Sequence, residues 1–245
     1  MGYVIAVSGK GGTGKTLISS LLIRHFSKKS PVLAIDADPD SNLPEVLGVE
    51  VEKTIGDIRE RITSDGISEF EGKIHEIIVE EPDFDILVMG RPEQEGCYCV
   101  VNNILRVAID SLSQNYDITV IDCEAGLEHL SRRTTRNVDV MIVVTDATKK
   151  GILTAKRVKE IADELNIEFK KIHVIVNRIR PELKGEMEKL LKEEGLDAIG
   201  FMPYDPIVAE YDLKGTPVSE LPKDAPVCMA FENIVSKIEE DLESL

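Results

Sequence analysis

The sequence predicts a doubly wound α/β fold, a mostly parallel sheet with helices on both faces, and three observations predict it. Short β-branched runs alternate with longer helical patterns along all 245 residues. The runs are almost continuously apolar, as strands become when crossover helices cover both of their faces. A glycine-rich turn separates the first strand from the first helix, the place where such sheets hold phosphate.

The first strand is Tyr3-Val4-Ile5-Ala6-Val7, followed by a helix from Lys15 to Ser27 and a strand from Pro31 to Asp36. Further strands are expected at Ile86–Met89, Ile118–Asp122, Val140–Thr145, Ile172–Asn177 and Ala198–Met202. Helical periodicity falls at Asn103–Ser113, Thr148–Leu165, Pro181–Glu194 and Ala225–Leu245. Pro181 opens the third of these and Gly195 follows it, the usual start and stop residues. The acidic segment 50–81 is only loosely periodic around Ile55, Ile58, Ile62 and Ile67, and reads as a peripheral insertion. No long Gly/Ser/Pro linker or repeat divides the chain, so residues 1–245 read as one domain.

Composition narrows the function. Hydrophobic residues make up 42% and charged residues 30%, as in a globular protein, and no apolar run reaches the roughly 20 residues that span a bilayer. The glycine-rich motif begins too close to Met1 for a signal peptide to precede it, so a cytoplasmic location is expected. With 29 basic and 45 acidic side chains the net charge is −16, which opposes broad attachment to nucleic acid or anionic lipid. Four cysteines are too few for a disulfide framework and raise the question of metal or redox chemistry.

Gly9-Lys10-Gly11-Gly12-Thr13-Gly14-Lys15-Thr16 satisfies G-x-x-x-x-G-K-[ST] between a strand and a helix, the phosphate-loop context. Without Cβ atoms, the glycines let successive backbone N–H groups turn toward phosphate oxygens. Lys15 is placed to reach the β and γ phosphates and the Thr16 hydroxyl to bind Mg²⁺. The same stretch reads as G-x-G-x-x-G at Gly9, Gly11 and Gly14, with Asp36 at the distance a dinucleotide fold requires. Lys15 and Thr16 favour the triphosphate, because a dinucleotide has no use for that pair.

The second strand runs into Asp36-Ala37-Asp38-Pro39-Asp40, which delivers carboxylates to the same edge. Asp38 is the candidate to orient an attacking water near Mg²⁺. Asp36 is counted with the nucleotide site, although Asp36 and Asp40 also suit a turn or helix cap. Asp122-Cys123-Glu124-Ala125-Gly126 ends another strand. Its Asp122 is a second carboxylate for Mg²⁺ through water, and Gly126 can swing an amide toward a γ-phosphate. A segment ordered by γ-phosphate and released on hydrolysis is a switch.

With these residues the sequence resembles the deviant Walker A ATPases, the group containing MinD, ParA, the arsenite-pump ATPase and the nitrogenase iron protein. Lys10 matches their second, early lysine, which implies an ATP-bridged homodimer in which Lys10 acts on the partner's nucleotide. The resemblance also implies that Asp38 belongs to switch I, that Asp122 and Gly126 belong to switch II, and that Asn177 reads adenine. Asn177-Arg178 also suits an ordinary strand exit, and Pro203-Tyr204-Asp205 lies where the family closes the other side of the base. Glu124-Ala125-Gly126-Leu127-Glu128-His129-Leu130 and Cys97-Tyr98-Cys99 look most like the CooC-type ATPases that insert nickel into carbon monoxide dehydrogenase.

Cys97 and Cys99 supply only two thiolates, and a two-fold axis would supply two more, giving a four-sulfur site for Zn²⁺, Ni²⁺ or, less favoured, an iron–sulfur cluster. A half-buried pair or a redox dithiol is the competing reading. Cys123 and Cys228 read as core, His129 as a switch-surface residue, and Arg132, Arg133 and Arg136 as a solvated face or a dock for an acidic partner. The expectation is a cytosolic Mg-ATP-dependent homodimer that loads nickel into carbon monoxide dehydrogenase or a related acetyl-CoA synthase. A MinD- or ParA-like positioning ATPase and an iron–sulfur scaffold are the alternatives. The acidic end Glu239-Glu240-Asp241-Leu242-Glu243 argues against the membrane form of the first.

Overall fold

The computed structural model describes residues 2–58, 74–91, 98–124, 138–164 and 169–245. Its strands are β1 (Tyr3–Gly9), β2 (Val32–Ala37), β3 (Val79–Glu80), β4 (Asp85–Val88), β5 (Ile118–Cys123), β6 (Val140–Asp146), β7 (Lys171–Ile179) and β8 (Ala198–Pro203). The helices, in chain order, are α1 (Lys15–Phe26), α2 (Leu43–Leu47), α3 (Ile55–Ile58), α4 (Tyr98–Leu112), α5 (Lys149–Glu164), α6 (Lys184–Glu193), α7 (Pro206–Lys214) and α8 (Pro226–Glu243). Among the described residues the strands form one sheet in the order β3-β4-β2-β5-β1-β6-β7-β8. Every pairing is parallel except β3 with β4.

Strand alternation separates two apolar layers. Val4 and Ala6 of β1 face one way, with Leu33, Ile35 and Ile121, and meet residues of α4, α5 and α6. Ile5 and Val7 face the other way, with Ala34 and Val120, and meet α1 and α8. Both faces of each central strand are therefore dry, which is why those segments lack polar alternation.

Two differences from the sequence reading concern the edges. The two-residue β3 is too short to carry a periodic signal, and α7 escaped notice between β8 and a turn-rich stretch. The ends of the 50–81 segment are part of the core rather than additions to it. Ile55, Ile58, Ile74 and Ile77 are each at most 2% exposed and lie in the α4-side layer. Residues 59–73, including Ile62 and Ile67, lie outside the described residues. Among the described residues no helix is long and apolar enough to cross a membrane.

The topology fixes the site. β1 sits between β5 and β6, with Val7 in register with Asp122 and Gly9 with Val144. β2 lies on the far side of β5, with Asp36 in register with Asp122. The parallel arrangement thus carries the phosphate loop and both carboxylate strands to one edge of the sheet.

Candidate nucleotide and magnesium site

The loop between β1 and α1 depends on glycine. Gly9, Gly12 and Gly14 all have positive φ, at 147°, 77° and 89°. A Cβ on Gly9 would collide with the Val144 carbonyl, and one on Gly14 with the Asn177 amide nitrogen. Gly14 takes the left-handed cap position of α1, so the helix begins at Lys15 with its positive dipole end facing the loop. Thr13 holds the loop's shape from inside, its hydroxyl donating to the Lys10 carbonyl at 2.8 Å. Lys10 is half-buried, Gly11 and Gly12 are exposed, and Lys15 is only 8% exposed.

Three oxygen-bearing side chains assemble next to Lys15. The Thr16 hydroxyl donates to Asp122 Oδ2 at 2.8 Å, and the Ser19 hydroxyl donates to Asp122 Oδ1 at 2.9 Å. Burial pushes the Asp122 carboxyl up to about 6, against the opposing pull of these two hydroxyls and the Lys15 charge; Asp38 is close enough to raise it further. A hydroxyl and two carboxylates are hard oxygen ligands, the donor set that Mg²⁺ accepts directly or through its retained waters. The residues present therefore fit Mg²⁺ at Thr16, with Asp122 and Asp38 behind it. Ser19 was not singled out from the sequence. Its signal is the spacing of three from Thr16, which places both hydroxyls on one face of α1.

Asp36 takes the turn and helix-cap role that the sequence also allowed for it. It is fully buried, and its oxygens accept the backbone N–H groups of Asp38 at 3.0 Å and Leu43 at 2.9 Å. It clamps the turn that presents Asp38 rather than facing a nucleotide. Asp38 in turn accepts the Asp40 N–H at 2.9 Å, while Asp40 pairs with Arg91 at the surface.

Burial lifts Asp36 to about 7, with the Asp122 charge adding to the rise and the two N–H donors opposing it. Its folded value thus lies above that of an unfolded aspartate, near 3.8. Both states hold the proton at low pH; as pH rises between these values the unfolded chain ionises first and the fold loses stability. In magnesium-free protein, lowering pH from about 7.5 to about 5.5 is expected to raise the denaturation midpoint relative to the Asp36→Asn variant. Parallel pH profiles of the two proteins would refute this.

Asn177 is 1% exposed, its Nδ2 donates to the Thr13 carbonyl at 2.8 Å and its Oδ1 accepts the Arg178 N–H at 2.9 Å. Its amide holds the phosphate loop to β7 with one N–H and one lone pair, and the other of each is left over. Arg178 has φ 56° and donates from Nη1 to the Gly12 carbonyl at 3.0 Å.

Asp205 is likewise structural, since its oxygens accept Ile207 N at 3.2 Å and Val227 N at 3.1 Å, capping α7 and α8 together. Pro203 ends β8 beside Ile179, and the exposed Tyr204 donates its backbone N–H to Ile179. None of the three lines the cleft described next.

That cleft, of about 290 Å³, runs from Gly12, Lys15 and Thr16 past Arg178 to Tyr211, Asp212 and Thr216. The last three were missed because α7 was missed. Asp205 before Pro206 and Gly215 after Lys214 are the cap residues that could have revealed it. The Glu45 and Val46 side of α2 closes the opposite wall.

Cys97 and Gly126 lie outside the described residues, as do His129, Arg132, Arg133 and Arg136; Cys99 falls in the first turn of α4. Cys123 and Cys228 are buried, as expected of core cysteines, and burial pushes the Cys123 thiol up to about 12. Among the described residues no group of three His, Cys, Asp or Glu side chains is gathered for a metal ion.

Comparison with known proteins gives the same picture of the fold. The family model of the CobQ/CobB/MinD/ParA nucleotide binding domain matches residues 4–218. An uncharacterized ATP-binding protein of Methanocaldococcus jannaschii is 54% identical over 96% of this chain and 98% of its own. The carbon monoxide dehydrogenase accessory protein CooC of Rhodospirillum rubrum is 31% identical, over 91% of each chain. Among solved structures, the septum site-determining protein MinD of Pyrococcus horikoshii, complexed with Mg-ADP, superposes with a TM-score of 0.74 at 24% identity, covering 98% of this chain and 97% of that one.

Proposed function

This chain belongs to the CobQ/CobB/MinD/ParA nucleotide-binding family, and we propose that it is a Mg-ATP-hydrolysing homodimer that delivers a metal ion, nickel foremost, to carbon monoxide dehydrogenase or a related acetyl-CoA synthase. The observation that carries the ATPase part is the Thr16–Asp122–Ser19 cluster beside Lys15, with Asp38 held over it by Asp36.

In this reading the loop amides and Lys15 bind the β and γ phosphates, and Thr16 and Asp122 hold Mg²⁺, which neutralises the charge that develops on the transferred group. Asp38 orients the attacking water, and its Asp36-braced turn keeps that carboxylate in place. Lys10 reaches the partner's nucleotide. Tyr211 and Thr216, on the α7 side, line the far end of the cleft, toward the nucleoside.

The metal part rests on likeness to CooC over nearly the whole chain, together with the Cys97-Tyr98-Cys99 motif. Two copies of the motif across a two-fold axis supply the four thiolates of a soft-metal site.

Likeness in sequence to septum site-determining MinD proteins favours a positioning ATPase as the second reading. Against it, Val227, Phe231, Ile234, Val235, Ile238 and Leu242 of α8 are buried in the core, which leaves Met229 as the one exposed large apolar side chain of that helix rather than an apolar face for a membrane.

The test is anaerobic metal titration with mass determination, in ADP and in a nonhydrolysable ATP analogue, on wild type and Cys97→Ala/Cys99→Ala. One ion per dimer, lost in the variant and altered by nucleotide, is expected. Equal binding by both proteins would overturn the metal role, and the absorption spectrum of a cluster would replace the single ion with an iron–sulfur centre.

A further inference from the structure

A second cavity, of about 300 Å³, lies between the C-terminal half of α1, the Lys223 turn and the first turns of α8. Its buried floor is Leu21, Cys228 and Phe231, and Arg24, Lys28 and Lys223 stand around it. His25 and Glu232 complete the charged groups that line it. Three cations against one carboxylate give a local excess of positive charge in a chain of net charge −16.

The electrostatic neighbours relieve that excess only in part, Glu232 being the cavity's one carboxylate and its charge favouring the Lys28 ammonium. His25 Nε2 meets Glu239 at 3.0 Å and His25 Nδ1 meets Glu232 at 3.6 Å, while Lys29 takes Glu239 at 2.5 Å. Arg24 donates to the Val218 and Leu221 carbonyls at 3.0 Å each, neutral acceptors that leave its charge unpaired. Burial, then the charges of Arg24 and Lys223, push the Lys28 ammonium below its usual range. A dianion seated among the three would remove this repulsion and find charge-assisted donors on each side.

We propose that this cavity is a binding site for a small phosphate-class anion, distinct from the phosphate loop. Three cations converging on one opening match the charge of inorganic phosphate or a short phosphomonoester. Its position also has a mechanical consequence. Val218 and Leu221, the residues Arg24 holds, line the nucleotide cleft on the other side of their turn. Arg24 thereby connects the anion to a wall of the ATP site.

His25 provides a local reporter, being one of four histidines in the chain and a lining residue. Its ring resonances, assigned with His25→Gln, are followed while inorganic phosphate, and separately glycerol 3-phosphate, is added to protein saturated with Mg-ADP. A saturable shift at His25 is expected, weakened at least about tenfold in Lys28→Ala/Lys223→Ala. It should persist in Lys189→Ala/Lys192→Ala, which removes two exposed charges of α6, away from the cavity. Tighter binding of phosphate assigns the site to the free ion, and tighter binding of glycerol 3-phosphate assigns it to a phosphomonoester. A His25 resonance that does not move, or equal weakening by both double variants, overturns the site.

Discussion

Lys15→Ala is expected to weaken ATP binding on the order of 100-fold, because a charge-assisted contact to phosphate is worth about 1.5–3 kcal/mol and each 1.4 kcal/mol is a factor of ten. The loss comes twice over. In the proposed site Lys15 meets the phosphates directly, and its charge also helps to keep Asp122 ionised against burial. Without it, Asp122 holds its proton to higher pH and competes less well for Mg²⁺. Isothermal titration with a nonhydrolysable ATP analogue, with and without Mg²⁺, separates the two contributions. Wild-type affinity in both conditions would remove Lys15 from the site.

For Asp38→Ala the expectation is the reverse pattern: analogue affinity within a few-fold of wild type, and hydrolysis slowed by roughly 10²–10⁴, the usual contribution of a positioned acid–base group. Asp38 is partly buried at the strand exit, and its backbone is pinned by Asp36, so the substitution leaves the neighbouring phosphate loop in place. It does remove the acceptor for Asp40 N–H. Asp38→Asn keeps an oxygen for that bond while removing the charge, and is expected to be as inactive as the alanine variant. Restored turnover in Asp38→Asn would show that turn geometry, and not the carboxylate, sets the rate.

The strands and the phosphate loop were legible because their signals are local. β1, β2 and β4 to β8 all fall where short apolar runs end at glycine, proline or a polar residue, and three positive-φ glycines mark a loop that other residues cannot follow. Helix α7 was hidden although its caps are present, since nine residues carry barely two turns of periodicity. The resemblance to a family brought Asn177 and Asp205 toward the base, and the structure gives each a structural tie that the sequence does not show. Their hydrogen bonds run to Thr13, 164 positions away, and to Val227, 22 positions away. No window along the chain contains such a pair.

Sequence alone determined the fold class, the phosphate loop and the carboxylates of its edge, because glycine conformation, strand burial and the order β-loop-α are properties of neighbouring residues. Tertiary structure decided what each buried polar group does. Asp36 and Asp122 end adjacent strands in register, and both are carboxylates in a dry place. One is consumed by two backbone N–H groups, while the other meets the hydroxyls of Thr16 and Ser19 beside a lysine. A buried carboxylate must be satisfied by whatever the fold brings to it. The donors that arrive, and so the division between a structural brace and a magnesium ligand, are set only when separate parts of the chain pack together.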